Sequence, residues 1–118
     1  MKIILLLSTI GIGFLITFHV SMNAYVGMMT RNAYLSNMIF WLIGAILAII
    51  VGLLNWDSHF MLQLSDVPKW FLLAGAIGAL IAFFMNFIIP RIGIYNVTIL
   101  AILGQLMTSM VFSHYGIF

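Results

Sequence analysis

The sequence predicts an all-α integral membrane protein of four transmembrane helices, with antiparallel neighbours joined by short loops. Three observations carry that expectation. Of 118 residues, 65% are hydrophobic and only 5% are charged, whereas a soluble domain carries about 25% charged residues. The surplus apolar surface needs an apolar partner of great extent, and the lipid bilayer is the one available. The apolar residues also fall into four runs, over about 3–28, 34–54, 70–89 and 95–113, each close to or longer than the roughly 20 residues that cross a bilayer. Finally, the connections are short, which forces neighbouring helices to run antiparallel. One four-helix domain over 1–118 is the expected organisation.

The first run begins behind Lys2 and is interrupted at Gly11 and Gly13 before turning polar at Thr17, His19, Ser21 and Asn23. It outlasts the roughly 15 residues of a signal-peptide core, and no small-residue cleavage site follows, so it is expected to be retained. Thr30, Arg31 and Asn32 make the first turn. The second run carries Trp41 near its start and Trp56 just past its end, where aromatic rings anchor at headgroup level. The longest connection, 55–69, holds both acidic residues, Asp57 and Asp66. Its apolar middle, Phe60 to Leu64, is too short to cross and is expected to lie in the interface as one amphipathic turn. Ser65-Asp66-Val67-Pro68 has the pattern of a helix start, a capping side chain followed by proline in the first turn. The third run spans about 30 Å as helix, and Pro90-Arg91-Ile92-Gly93 should close it as a tight turn into the fourth.

The charges are few but informative. In a four-span chain Lys2 and Lys69 fall on one side and Arg31 and Arg91 on the other. Two against two leaves no positive-inside bias. So small a count can balance by chance; the sharper expectation is a chain that inserts both ways and pairs as an antiparallel homodimer. Such sparse charge offers no basic patch for nucleic acid. The absence of cysteine excludes disulfides, thiolate metal sites and cysteine catalysis. No Ser/His/Asp set, phosphate-binding glycine loop or paired carboxylate is present, so neither an enzyme nor a cofactor is expected.

Polar side chains inside the runs are the candidates for function, because such groups are costly in lipid and face a bundle interior or wet cavity. His19 and Asn23, four residues apart, share one helical face. Histidine is also the only side-chain type inside the runs that ordinarily titrates near neutral pH. Asn86 closes a stripe of small residues, Gly75, Gly78, Ala79 and Ala82, of the kind that lets another helix approach closely. Gly104, Gln105, Thr108 and Ser109 make a polar and small patch on the fourth run. We therefore take His19, Asn23, Asn86 and Gln105 as candidate substrate contacts, and Gly75, Gly78, Ala79, Ala82 and Gly104 as packing positions. The competing interpretation is plain helix association, worth about 0.6 kcal/mol per interhelical hydrogen bond. Asp57, His59 and Asp66 lack a recognised metal-ligand spacing, so no metal site is expected. The Asn96-Val97-Thr98 sequon lies too near the bilayer to count.

Several pieces in order resemble YdcZ-type proteins, half-size members of the drug/metabolite transporter superfamily distantly related to small multidrug-resistance proteins. They are Asn23-Ala24-Tyr25-Val26-Gly27, Phe40 to Gly44, Gly75 to Ala79, Pro90-Arg91-Ile92-Gly93, Gly104-Gln105-Leu106 and Ser113-His114-Tyr115-Gly116. His19 stands where that family commonly has glutamine, and Ser113 where aspartate is usual. The resemblance implies a transporter-like fold related to small multidrug-resistance proteins and supplies no substrate. The polar groups at span depth and the balanced charges lead to the expectation of a half-size transporter of a small amphipathic or cationic molecule, working by alternating access in a bacterial inner membrane as a homodimer or with a paralogue. A non-transporting accessory subunit and a lipid-carrier flippase subunit are the alternatives.

Overall fold

The apolar runs become four long helices in the computed structural model, which describes residues 1–117: α1 Lys2–Met29, α2 Ala33–Leu54, α4 Leu73–Ile92 and α5 Ile94–Tyr115. A six-residue helix, α3 Phe60–Ser65, and a 3-10 turn, Lys69–Leu72, lie between α2 and α4. At 1.5 Å per residue α1 is about 42 Å long and α2 about 33 Å, against a hydrocarbon core of about 30 Å. All four are long and apolar enough to cross a membrane.

Each boundary has a local cause. Helix α1 ends with Arg31 in the left-handed region, φ 52°. There the Arg31 N–H donates to the Met28 carbonyl at 3.2 Å and the Asn32 N–H to that of Gly27 at 3.1 Å, the Schellman pattern that satisfies the last carbonyls. Helix α2 starts at once, because Asn32 Oδ1 accepts from the Leu35 N–H at 3.0 Å and caps it. Between α4 and α5 a single residue turns the chain. Gly93 has φ 83° and ψ 150°, a region essentially reserved for glycine.

Two boundaries differ from the sequence expectation. Helix α4 runs through Pro90 to Ile92 instead of stopping at Ile89. A proline in the last turn forfeits one backbone hydrogen bond, a small loss there, and the bend falls on Gly93. Ser65 and Asp66 do not cap the third span: Ser65 Oγ donates back to the Leu62 carbonyl at 2.6 Å, and the turn behind Pro68 has no side-chain cap. Where one short amphipathic turn is expected, at Phe60–Leu64, the chain forms α3.

Helices α1 and α4 form the central pair; α2 leans on both, and α5 rests mainly on α4. The buried residues are Asn23, Ala24 and Gly27 of α1, Ser36 of α2, Ala82, Asn86 and Ile89 of α4, and Val97 of α5. They gather toward the end where the Thr30–Asn32 turn and Gly93 meet. Toward the other end the helices are exposed around their circumference, as at Ile3, Leu6 and Ile10, at Ile46, Leu47 and Ile50, and at Leu103, Met107 and Met110. The radius of gyration is 17.0 Å, well above the roughly 13.5 Å of a compact domain of this length. The bundle is closed at one end and splayed at the other.

Candidate functional site

A polar knot closes the packed end. Asn23, Ser36 and Asn86 are each 2% exposed, deep enough that every polar atom needs a partner. The Asn23 carbonyl oxygen, Oδ1, uses both of its lone pairs, accepting from Ser36 Oγ at 2.9 Å and from Asn86 Nδ2 at 3.1 Å. Ser36 Oγ also lies 3.0 Å from the Asn23 main-chain oxygen, and Asn86 Nδ2 also donates to the Ala33 carbonyl at 3.3 Å. Asn37 extends the knot: its Oδ1 accepts from Asn23 Nδ2, and its own Nδ2 donates to the Ala79 carbonyl, both at 3.4 Å. Three helices are thereby tied together by side chains.

Gly27 makes this approach possible. One turn beyond Asn23 on the same face of α1, it leaves no room for a side chain: a Cβ there would sit 3.0 Å from Asn86 Oδ1 and 3.2 Å from Nδ2. Asn86 Oδ1 is the one buried side-chain atom among the described residues with no hydrogen-bond partner.

The four candidate substrate contacts separate into three places. Asn23 and Asn86 are joined in the knot. His19, one turn farther up α1, is exposed and meets the Phe40 ring edge-on with centroids 6.2 Å apart. Gln105 lies on the opposite flank, in a groove of about 140 Å³ shared with Thr17, Val20, Met85 and Thr98. The small-residue stripe also divides. Ala82 is buried, the Ala79 carbonyl belongs to the knot, and Gly78 faces Trp41, whose ring would be 3.4 Å from an added Cβ. Gly75 and Gly104 have nothing within 4 Å of where a Cβ would stand. Trp41 thus rests one ring edge on α4 at Gly78 while the rest of its ring stays exposed.

Sequence reasoning passed over Ser36, Asn37 and Gly27. Ser36 and Asn37 are adjacent polar residues inside an apolar run, a signal that was legible but lay close to the helix start. Thr17, Ser21 and Ser8 hydroxyls donate to carbonyls four residues back in their own helix, which leaves no unmet donor there. Among the described residues, no three His, Cys, Asp or Glu side chains gather where a metal ion could sit.

Four helices of membrane-crossing length and apolarity, three of them tied by a polar knot, define a small integral membrane protein. The sequence matches over residues 4–118 the profile of the family described as "Putative inner membrane exporter, YdcZ". The chain belongs to that family, and is accordingly a transporter-type protein of the inner membrane; an exporter family points away from enzymatic activity. Neither a curated protein nor a solved structure matches it.

Proposed function

We propose that two copies of this chain form an exporter that carries a small amphipathic or cationic molecule by alternating access. The observation that supports it is the one-ended packing. Among the described residues a single copy buries side chains only toward the knot end, while His19 and Gln105 lie on opposite flanks of α1. A second copy, packed against the splayed halves, would supply the missing walls. The polar knot would then be the closed gate and floor of the site, with Asn23 and Asn86 presented to substrate when it opens and His19 and Gln105 above it. The even split of Lys2 and Lys69 against Arg31 and Arg91 supports an antiparallel arrangement, since neither orientation is favoured on charge. Small transporters of inverted symmetry place the site between repeats near the midplane.

Single cysteines introduced at residues 3 and 115 of this cysteine-free chain, which leave all four basic residues in place, test the assembly. Both ends should label from both sides of intact cells. Labelling of each end from one side alone would defeat the antiparallel pair. In reconstituted vesicles His19→Ala or Asn23→Ala should reduce substrate exchange, and exchange unchanged in both would remove the site assignment. A second reading, an accessory subunit, draws support from the knot itself, whose amides are spent on one another. It predicts cross-links only to a partner of different sequence.

A further inference from the structure

We propose that the closed end carries a binding site for the phosphodiester headgroup of an anionic phospholipid, held between Arg31 and Arg91. The inference is independent of whether the chain transports. Arg31 belongs to the turn between α1 and α2, and Arg91 to the last turn of α4, yet both line one cavity of about 420 Å³ together with Asn32, Tyr34, Asn86 and Phe87. The chain's described residues place no carboxylate at this end. Its two acidic residues, Asp57 and Asp66, lie in the connection between α2 and α4, at the other end of helices that are 30 Å or more in length. Both arginines are exposed at the rim of this cavity, so an anion held there would come from outside the chain.

The geometry selects the kind of anion. The Arg91 guanidinium lies over the Phe87 ring, its carbon 3.5 Å from the centroid, and one of its nitrogens donates to the Phe87 carbonyl. That fixes the plane of the group and leaves its other N–H donors for a ligand, a fork suited to two oxygens of a phosphate. Arg31 sits in the left-handed region, at the helix-ending position where α5 uses Gly116, φ 64°. A glycine would satisfy the backbone there with less strain; the arginine adds a charge at the mouth. The cavity opens at the end of the spans, between exposed Met28 and Tyr34, where lipid headgroups are the concentrated source of phosphate. Basic pockets between transmembrane helices recognise such headgroups.

The test is thermal unfolding of the purified chain in neutral detergent, titrated with phosphatidylglycerol, phosphatidylcholine or inorganic phosphate. Phosphatidylglycerol should raise Tm, and each arginine removed should weaken its apparent affinity roughly fivefold, the factor for one basic residue at an anionic surface. The Arg31→Gln/Arg91→Gln double variant should lose the shift, while Lys2→Gln/Lys69→Gln keeps it. Arg31→Gly guards against misfolding: it should unfold at a higher temperature than the parent without lipid, yet respond more weakly to lipid. Retention of the full shift in the double arginine variant, or equal loss in the lysine variant, overturns the site. Equal protection by phosphatidylcholine or by inorganic phosphate overturns the assignment to an anionic lipid.

Discussion

The polar knot makes a quantitative claim through the Asn23–Asn86 pair. Asn23→Ala removes three side-chain hydrogen bonds, at 2.9, 3.1 and 3.4 Å. It strands neither principal partner, because Ser36 Oγ keeps the Asn23 main-chain oxygen and Asn86 Nδ2 keeps the Ala33 carbonyl. The loss is therefore the net value of the bonds, about 0.6 kcal/mol each in a membrane and up to about 1.7, or about 1–2 kcal/mol with the longest discounted. The vacated amide volume adds about 1 kcal/mol. We expect Asn23→Ala to cost about 2–3 kcal/mol in reversible unfolding by sodium dodecyl sulfate in mixed micelles, followed by circular dichroism. In the double-mutant cycle with Asn86→Ala, the shared bond should appear as a coupling of about 0.6–1.7 kcal/mol. Ser8→Ala, which removes a hydroxyl bonded only to its own preceding turn, should leave the transition unmoved. A cycle that adds within about 0.3 kcal/mol, as independent sites do, would refute the claim that this pair ties α1 to α4.

Gly27→Ala should destabilise by about 1–3 kcal/mol, the cost of overpacking, because its Cβ would press on an Asn86 amide held by two hydrogen bonds. Gly44→Ala, where nothing lies within 4 Å, should instead be neutral or stabilising by up to about 1 kcal/mol; the same micelle unfolding assay compares them. Gly93→Ala should cost on the order of 1–3 kcal/mol, since φ 83° with ψ 150° suits no side-chain-bearing residue. Lower yield of folded protein on size exclusion, restored at reduced temperature, would register it.

The four spans were legible because length and apolarity alone specify them in lipid. The site was legible only in part, and the reason is geometric. Helical spacing put His19 and Asn23 on one face, yet a 40° step around α1 sends Asn23 into the seam and leaves His19 against Phe40. Nothing in α1 records where α4 will lie. The Asn-x-x-x-Gly pattern at 23–27 is visible in the sequence; its meaning, an amide beside a position with no room for a side chain, needs Asn86, which is 63 residues away from Asn23. The glycines show the same limit. Gly27, Gly78 and Gly75 look alike in sequence, but only the first two meet another helix. Pro90 looked like a stop, and its nearness to the helix end removed most of its penalty.

The strength of the knot bears on how a gate could work. Side-chain bonds Asn23–Asn37, Ser36–Asn23 (to main chain and side chain), Asn37–Ala79, Asn86–Asn23 and Asn86–Ala33 together contribute about 3–4 kcal/mol at the average membrane value. Lipid gives helices no hydrophobic reason to stay together, so these bonds and the close packing around Gly27 and Ala82 are what resist their parting. Driving a two-state equilibrium from 1:99 to 99:1 takes about 5.5 kcal/mol, so the knot is strong enough to hold one end shut and weak enough for differential substrate binding to open. In the antiparallel pair proposed above the balance is finer still. Opening the knot of one copy while that of the other closes exchanges like for like, and symmetry makes the two end states equal in energy. The substrate then needs to lower only the barrier between them, and a knot built from many weak bonds can be broken one bond at a time.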